Sequence, residues 1–291
     1  MGLSNENITL SEKDLEYCHR ELNETEEIKK LSIKTLIEWL SDKQELNAKC
    51  DDFNLLRFLR GSKYDIEKAK RKITNFYKLR GTAPEWYENK DPFLPEIQEL
   101  LRIGVFLPIL QRDDQGRFVI IIRIAAHNPY LHKQDDVFKV GLMTLDLLLS
   151  KTPHPSIYGV IAIFDMEGVS IGHARQLTVK MIKRAVHSWQ DCYPVRVKGL
   201  HFINSPSYIN VVLNIFRRFM REKLKNRIHV HGYDIPSLHN FTSKKILPEE
   251  YGGSGGKLQS LIQFWRNTVS ENADWFTDDE KYKYVEPPIN S

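Results

Sequence analysis

Cysteine is scarce in this 291-residue chain: Cys18, Cys50 and Cys192 are an odd number at wide, unrelated spacings. That excludes a disulfide framework and a thiolate metal pattern, and leaves structural thiols. Long apolar runs are missing too. Phe118 to Ile122 and Leu145 to Leu149 are among the longest, far short of the ~20 residues needed to cross a bilayer. The opening MGLSNENITL has no basic segment leading into an apolar stretch, so no secretory signal is expected and the cytoplasm is the default. Asn5 stands beside the sixth position, where a myristoylation pattern wants Ser or Thr, so that anchor is not expected.

Signatures of enzyme chemistry are as thin. Gly252, Gly253, Gly255 and Gly256 in YGGSGG lack the preceding strand and the GxGxxG or GKS/T spacing of a phosphate cradle, and a flexible turn is expected there. There is no G-x-S-x-G, and Ser170 in GVSIG has no base that the sequence identifies. His229 and His231 are read as alternating along a short strand and pointing to opposite faces, while His127 and His132 are loop candidates without a ligand pattern, so no metal site follows. Asp165 and Glu167 in FDMEG end an apolar strand, where an α/β enzyme often keeps carboxylates. A bond from Asp165 to the local backbone, with Gly168 permitting a turn, is the simpler role.

Charged residues are 27% and hydrophobic ones 41%, which is the composition of a globular protein. The formal charge is +4, but it is unevenly spread. Arg175 to His231 holds twelve Lys or Arg against Asp191 and Glu222, a field that favours an anionic partner. Within it, SYINVVLNIFRRFMREKLKNR at Ser207 to Arg227 sets Ile209, Val212, Leu213, Phe216, Phe219 and Met220 at helical spacing. Arg217, Arg218, Arg221, Lys223, Lys225 and Arg227 follow. A core helix with a solvated basic end would explain this, and so would a helix whose flank meets a phospholipid headgroup layer. Nucleic acid is the poorer partner, because no exposed aromatics interleave with the cations and the greasy face would be stranded in water.

The first hundred residues read as helices. Leu15, Cys18 and Leu22, then Ile33, Leu36, Ile37 and Leu40, then Phe53, Leu56 and Leu59 mark three apolar stripes, and Asp65 can cap a fourth helix that ends at Gly81. From about residue 104 strands alternate with helices. Strands are expected near Val105 to Leu110, Phe118 to Ala125, Tyr158 to Phe164, Val195 to Phe202 and Ile228 to Val230. Helices are expected at Asp135 to Leu149, Ala174 to Trp189 and Ser207 to Met220. The pattern is that of an α/β protein with a mixed, mainly parallel sheet. The division is a helical module over 1–95, an α/β domain over 96–256, and a tail over 257–291 with one stripe, Leu258, Leu261, Ile262 and Trp265, before a loosely held end.

DDFNLLRFLRGSKYDIEKAKRKI at Asp51 to Ile73, FVIIIRIAAHNP at Phe118 to Pro129, IAIFDMEG at Ile161 to Gly168, YPVRVKGLHFINSP at Tyr193 to Pro206, EKLKNRIHVHG at Glu222 to Gly232 and LPEEYGG at Leu247 to Gly253 together resemble the CRAL-TRIO lipid-binding family. The likeness is to the branch that holds tocopherol and retinaldehyde carriers. It implies a helical N-terminal domain on a lipid-enclosing α/β domain, a mobile gate helix at about 204–220, no metal, no catalytic residues and no cofactor beyond a bound hydrophobic lipid. The cavity and gate residues it suggests are Phe138, Leu142, Thr144, Leu145, Phe164, Tyr193, Val195, Leu200, Ile209, Leu213 and Phe216. Thr144 and Tyr193 are the hydroxyls expected near a ligand head group, since Gly141 and Leu145 stand where the tocopherol carrier has hydroxyl-bearing residues. Arg57, Arg196, Lys198, Lys223, Lys225 and Arg227 are the expected docking patch for phosphoinositides or other anionic lipids. The resulting expectation is a monomeric, cytoplasmic, transiently peripheral carrier of a tocopherol, retinoid, carotenoid or similar isoprenoid. The alternative is a non-releasing lipid sensor or scaffold acting through a protein partner, with a small-molecule enzyme using Asp165 or Glu167 ranked behind it.

Overall fold

The computed structural model describes residues 9–286. Four N-terminal helices, α1 (Glu12–Leu22), α2 (Glu26–Ser41), α3 (Asp52–Ser62) and α4 (Ile66–Thr82), each begin at a residue whose side-chain oxygen accepts an amide of the first turn: Ser11, Thr25, Asp51 and Asp65. Such caps satisfy amides that have no partner within the helix. Short α5 (Pro84–Tyr87) and α6 (Pro95–Ile103) both start on proline, which is tolerated at the first helical position because its missing N–H has no partner to lose. The packed face of α3 and α4, including Leu55, Phe58, Leu59, Ile73, Phe76 and Tyr77, joins the same core as the sheet.

The sheet contains β1 (Phe106–Pro108), β2 (Phe118–Arg123), β3 (Val160–Asp165), β4 (Val197–Ile203) and β5 (Ile228–Gly232), in sequential order. β1 runs antiparallel to β2, and the other three pairings are parallel. α7 (Gln134–Lys151) and the single turn α8 (His154–Ile157) connect β2 to β3. α9 (Ile171–Gln176) and α10 (Val179–His187) connect β3 to β4, and α11 (Ile209–Arg217) and α12 (Glu222–Lys225) connect β4 to β5. Crossovers between adjacent parallel strands are right-handed as a rule, which sends the helices of three successive ones to one face, and residues of α7, α9, α10 and α11 do line one space with Ile122 and Phe164. β3 is buried along its whole length, as a continuous apolar strand in a covered sheet should be. α13 (Ile235–Leu238), α14 (Leu258–Ser270) and α15 (Ala273–Asp279) follow. No helix among the described residues is long and apolar enough to cross a membrane.

Three local expectations need correction. The helix expected over Ala174 to Trp189 is two helices followed by a π-helical turn at Ser188–Cys192, and Thr178 caps the second. The glycine segment is a tight knot, because a Cβ at Gly253 would lie 2.0 Å from the Leu247 carbonyl oxygen and one at Gly255 2.3 Å from that of Ile246. The tail is not loose through residue 285. Phe276 is fully buried, the Tyr284 amide donates to the Tyr77 carbonyl at 2.9 Å, and Asp279 pairs with Arg80, Lys90 and Lys49. Residues 287–291 of the tail and 1–8 of the start, including Asn5, lie outside the described residues.

Candidate functional site: an apolar cavity beside a basic pocket

One face of α7 supplies Gln134, Val137, Phe138, Gly141, Leu142 and Leu145, a stripe at three- and four-residue spacing. Opposite it lie Ile122 of β2 and Phe164 of β3, paired across the sheet and therefore on one side of it. Ala174 of α9, Ala185 of α10, Trp189 of the π turn and Ile209, Val212 and Phe216 of α11 complete the walls. They enclose about 200 Å3. The polar groups at its edge are partly committed: Ser170 Oγ and His173 Nδ1 are 2.9 Å apart, and His173 Nε2 lies 3.0 Å from the His127 carbonyl oxygen. Such a space suits a hydrocarbon ligand, which loses nothing by leaving water and gains ~25 cal/mol for each Å2 of apolar surface it hides.

Exposed apolar side chains stand on the same elements. Ile171 and Tyr208 line the cavity and reach solvent, Val211 on α11 is 69% exposed, and Tyr130 lies against Gly172 with its ring still exposed. Directly after β4, five residues before α11 begins, Asn204 has a left-handed φ of 48° and donates from Nδ2 to Asp165. Asn tolerates that conformation better than other non-glycine residues.

Of the residues expected at the cavity, Phe138, Leu142, Leu145, Phe164, Ile209 and Phe216 line it. Five are elsewhere. Thr144 sits on the face of α7 that also carries Val140, Met143 and Leu147, and its hydroxyl donates to the Val140 carbonyl at 2.9 Å. The Tyr193 hydroxyl donates to Asp146 at 2.8 Å and its ring meets Phe76 edge-on, so it faces the helical module. Leu200 and Leu213 are packed in the core away from the lining, and Val195 belongs to the neighbouring basic pocket. The expected hydroxyl pair for a ligand head group is therefore absent from the walls. Trp189, Ala185, Met166 and Val137 were missed because their part in the cavity depends on how separate crossovers converge.

The basic pocket, of about 170 Å3, is lined by Lys63, Lys68, Lys72, Arg196, Lys198, Arg221, Lys223 and Arg227, with no acidic residue in its walls. Burial pushes the Lys198 ammonium down to about 8, helped by Arg196 and Arg227. Burial also takes Lys72 to about 8, although its Nζ donates to the Tyr193 carbonyl at 2.7 Å. Lys223 and Arg227 are lowered by burial and by neighbouring cations. A site where cations depress one another gains most from a bound anion. Two expected members are not there. Arg57 is buried at a different cavity, donating to the Leu149 carbonyl at 3.1 Å, and Lys225 is outside the pocket, paired with Glu222 at 2.6 Å. Trp189 is shared by both walls, so the two spaces are neighbours.

The remaining chemistry is spent on structure. Asp165 accepts from the Glu167 amide, from Asn204 and, at 2.8 Å, from the Tyr251 hydroxyl. Gly168 takes the expected turn conformation, with φ 76°. The expectation that His229 and His231 point apart is wrong, since residues two apart share a face of a strand. Both rings lie against Phe241 together with His201, whose Nδ1 is 3.0 Å from His231 Nε2. Among the described residues no group of three or more His, Cys, Asp or Glu is arranged to hold a metal ion.

A sheet of this order, with crossover helices enclosing an apolar space and a short amphipathic helix closing it, defines a class of small proteins built around an internal hydrophobic pocket. The profile of the CRAL/TRIO domain matches residues 104–253 and that of a Pinta-like UBA domain matches residues 24–97, and the chain belongs to the CRAL/TRIO family. It is 28% identical to the human alpha-tocopherol transfer protein-like protein over 269 residues, covering 92% of this chain and 77% of that one. It is likewise 28% identical to human clavesin-2 over 274 residues, covering 94% and 82%. The crystal structure of Sfh5 superimposes with a TM-score of 0.56 at 15% identity, over 87% of this chain and 99% of that one, which shows a shared fold. Family membership sets the chain among lipid-binding and lipid-transfer proteins.

Proposed function

We propose that the protein is a carrier that holds one small hydrophobic lipid in the cavity and exchanges it at membranes bearing phosphoinositides or other anionic lipids. The observation that carries this reading is the adjacency of an almost wholly apolar cavity to a pocket walled by eight cations and no carboxylate. An anionic headgroup in the basic pocket holds the protein at the leaflet, each near-surface cation contributing up to ~1 kcal/mol. The rim residues then meet hydrocarbon, and α11 can leave the cavity mouth without exposing Ile209, Val212 and Phe216 to water. Neither Thr144 nor Tyr193 reaches the lining, whose hydroxyls are those of Ser170 and Tyr208, so the walls support a retinoid, carotenoid, sterol-like or fatty ligand at least as well as a tocopherol. The likeness to an alpha-tocopherol transfer protein-like protein supports the transfer step. In this reading the protein works as a monomer from the aqueous cytoplasm, transiently peripheral to the membrane, and performs no chemistry on its ligand.

Ligand-loaded protein mixed with donor and acceptor vesicles tests this. Wild type and Asp165→Asn should pass an unchanged lipid at similar rates, and Phe216→Asp should pass it slowly. Binding without transfer would identify a sensor, and a product that depends on Asp165 would identify an enzyme; either result rejects the carrier.

A further inference from the structure

A second enclosed space, of about 160 Å3, lies where α3, α4, α7, α15 and the segment after α15 meet, and it is unlike the lipid cavity. Lys49, Arg57, Arg80, Asp146 and Asp279 line it together with Phe53, Phe76, Tyr77, Trp275 and Tyr282. Its carboxylate oxygens already have donors. Asp146 accepts from Tyr193 and from Arg80 at 3.0 Å, and Asp279 accepts from Lys49 at 2.7 Å, from Lys90 at 2.9 Å and from Arg80. Donors, by contrast, are left over. Arg57 has no carboxylate partner: one terminal nitrogen donates to the Leu149 carbonyl, the other to Asn54 Oδ1, and its buried Nε has no partner. The residue is 9% exposed. The Tyr77 hydroxyl oxygen accepts from the Lys49 amide at 2.9 Å, and among the described residues no acceptor takes its proton. Burial raises that hydroxyl to about 12, so it remains a donor at neutral pH.

The charges lean the same way. Lys49, Arg57 and Arg80 face two carboxylates in the walls, and the buried Lys90 draws on the same two. The Asp51 carboxylate nearby is occupied in capping α3 and in accepting from Asn54. Excess positive charge and unmet donors in a low-dielectric space are costly, and an anion rich in acceptors relieves both costs at once.

We propose that this cavity binds a small oxyanion, of the phosphate, sulfate or carboxylate kind, through Arg57 and Tyr77. The walls come from the helical module, from α7 beside the sheet and from the C-terminal tail, so the bound anion fastens these three segments to one another. The site is separate from the basic pocket, from which Arg57 is absent, and its failure would leave the carrier reading untouched.

The test measures thermal unfolding in a zwitterionic buffer at constant ionic strength, titrating phosphate, sulfate or acetate. It uses full-length protein carrying Lys198→Ala, Lys223→Ala and Arg227→Ala, which weakens anion binding in the basic pocket and leaves there Lys63, Lys68, Lys72, Arg196 and Arg221, all unchanged in the comparison of Tyr77 and Arg57 variants. At least one anion should raise Tm by several degrees and saturate. Tyr77→Phe, which keeps the ring and removes the hydroxyl, should abolish the rise, as should Arg57→Gln. If Arg57→Gln does not fold, Tyr77→Phe decides. No saturable rise with any of the three anions, or a rise that survives in either folded variant, overturns the proposal.

Discussion

Val211 and Phe216 sit on the same short helix and separate the membrane step from the lipid-holding step. Val211 is 69% exposed and outside the cavity lining, whereas Phe216 is half-buried and lines it. Fully burying a side chain of this kind is worth roughly 1.5–3 kcal/mol. Seating the exposed part of Val211 in an interface therefore contributes on the order of 1 kcal/mol by that scale. An Asp there forfeits that gain and adds the cost of desolvating a carboxylate. Vesicle partition of Val211→Asp should fall at least about fivefold at 1.4 kcal/mol per factor of ten. Lipid affinity in solution should not change, because surface substitutions away from special features stay within about 0.5 kcal/mol. Phe216→Asp should lose both properties, its half-buried ring accounting for about tenfold in lipid affinity by the same area scale. Vesicle co-sedimentation and fluorescence titration of a bound polyene read the two separately. If Val211→Asp partitions like wild type, the rim does not enter the membrane and α11 is a wall rather than a gate.

Replacing Lys198, Lys223 and Arg227 together by alanine should weaken binding to phosphoinositide vesicles by up to about a hundredfold, at up to ~1 kcal/mol per cation, with the difference shrinking as salt rises. Lys225→Ala should bind normally, because that side chain is paired with Glu222 outside the pocket; flotation assays across salt concentrations check both. Asp279→Ala should cost about 3–5 kcal/mol in urea unfolding, since it leaves the buried Arg80 and Lys90 to share Asp146 and removes the closer partner of Lys90. His201 is held neutral by burial and by His229 and His231, with its pKa down at about 3. Its contribution is therefore fully present above the ordinary histidine value near 6.5 and is lost as pH falls from there toward 3, at up to ~1.4 kcal/mol per pH unit. His201→Phe should flatten that slope in a pH series of unfolding curves.

The sequence alone determined the fold class and most elements, though not the break at Thr178 within Ala174 to Trp189 or the packed helix α15. The 3.6-residue stripes of α3, α4 and α7, the caps at Asp51 and Asp65, the continuous apolar run of β3 and the basic stretch from Arg175 to His231 are local features, each set by neighbours within a turn or a strand. The resemblance of six segments carried the family. Tertiary structure decided which face of each element meets which space. Thr144 and Leu145 are adjacent in the chain, yet a 100° step around α7 puts one hydroxyl on its own backbone and the other side chain in the cavity. Arg57 and Arg196 look alike in sequence. One meets the Leu149 carbonyl, 92 residues away, while the other lines a pocket with Lys63 and Lys223. The acidic, aromatic end of the chain read as loose because its partners, Tyr77, Arg80 and Lys90, lie about 200 residues earlier and become neighbours only when α4 packs beside α7 and α15. Periodicity records which side chains share a face, but burial and charge pairing depend on what the folded chain places opposite that face.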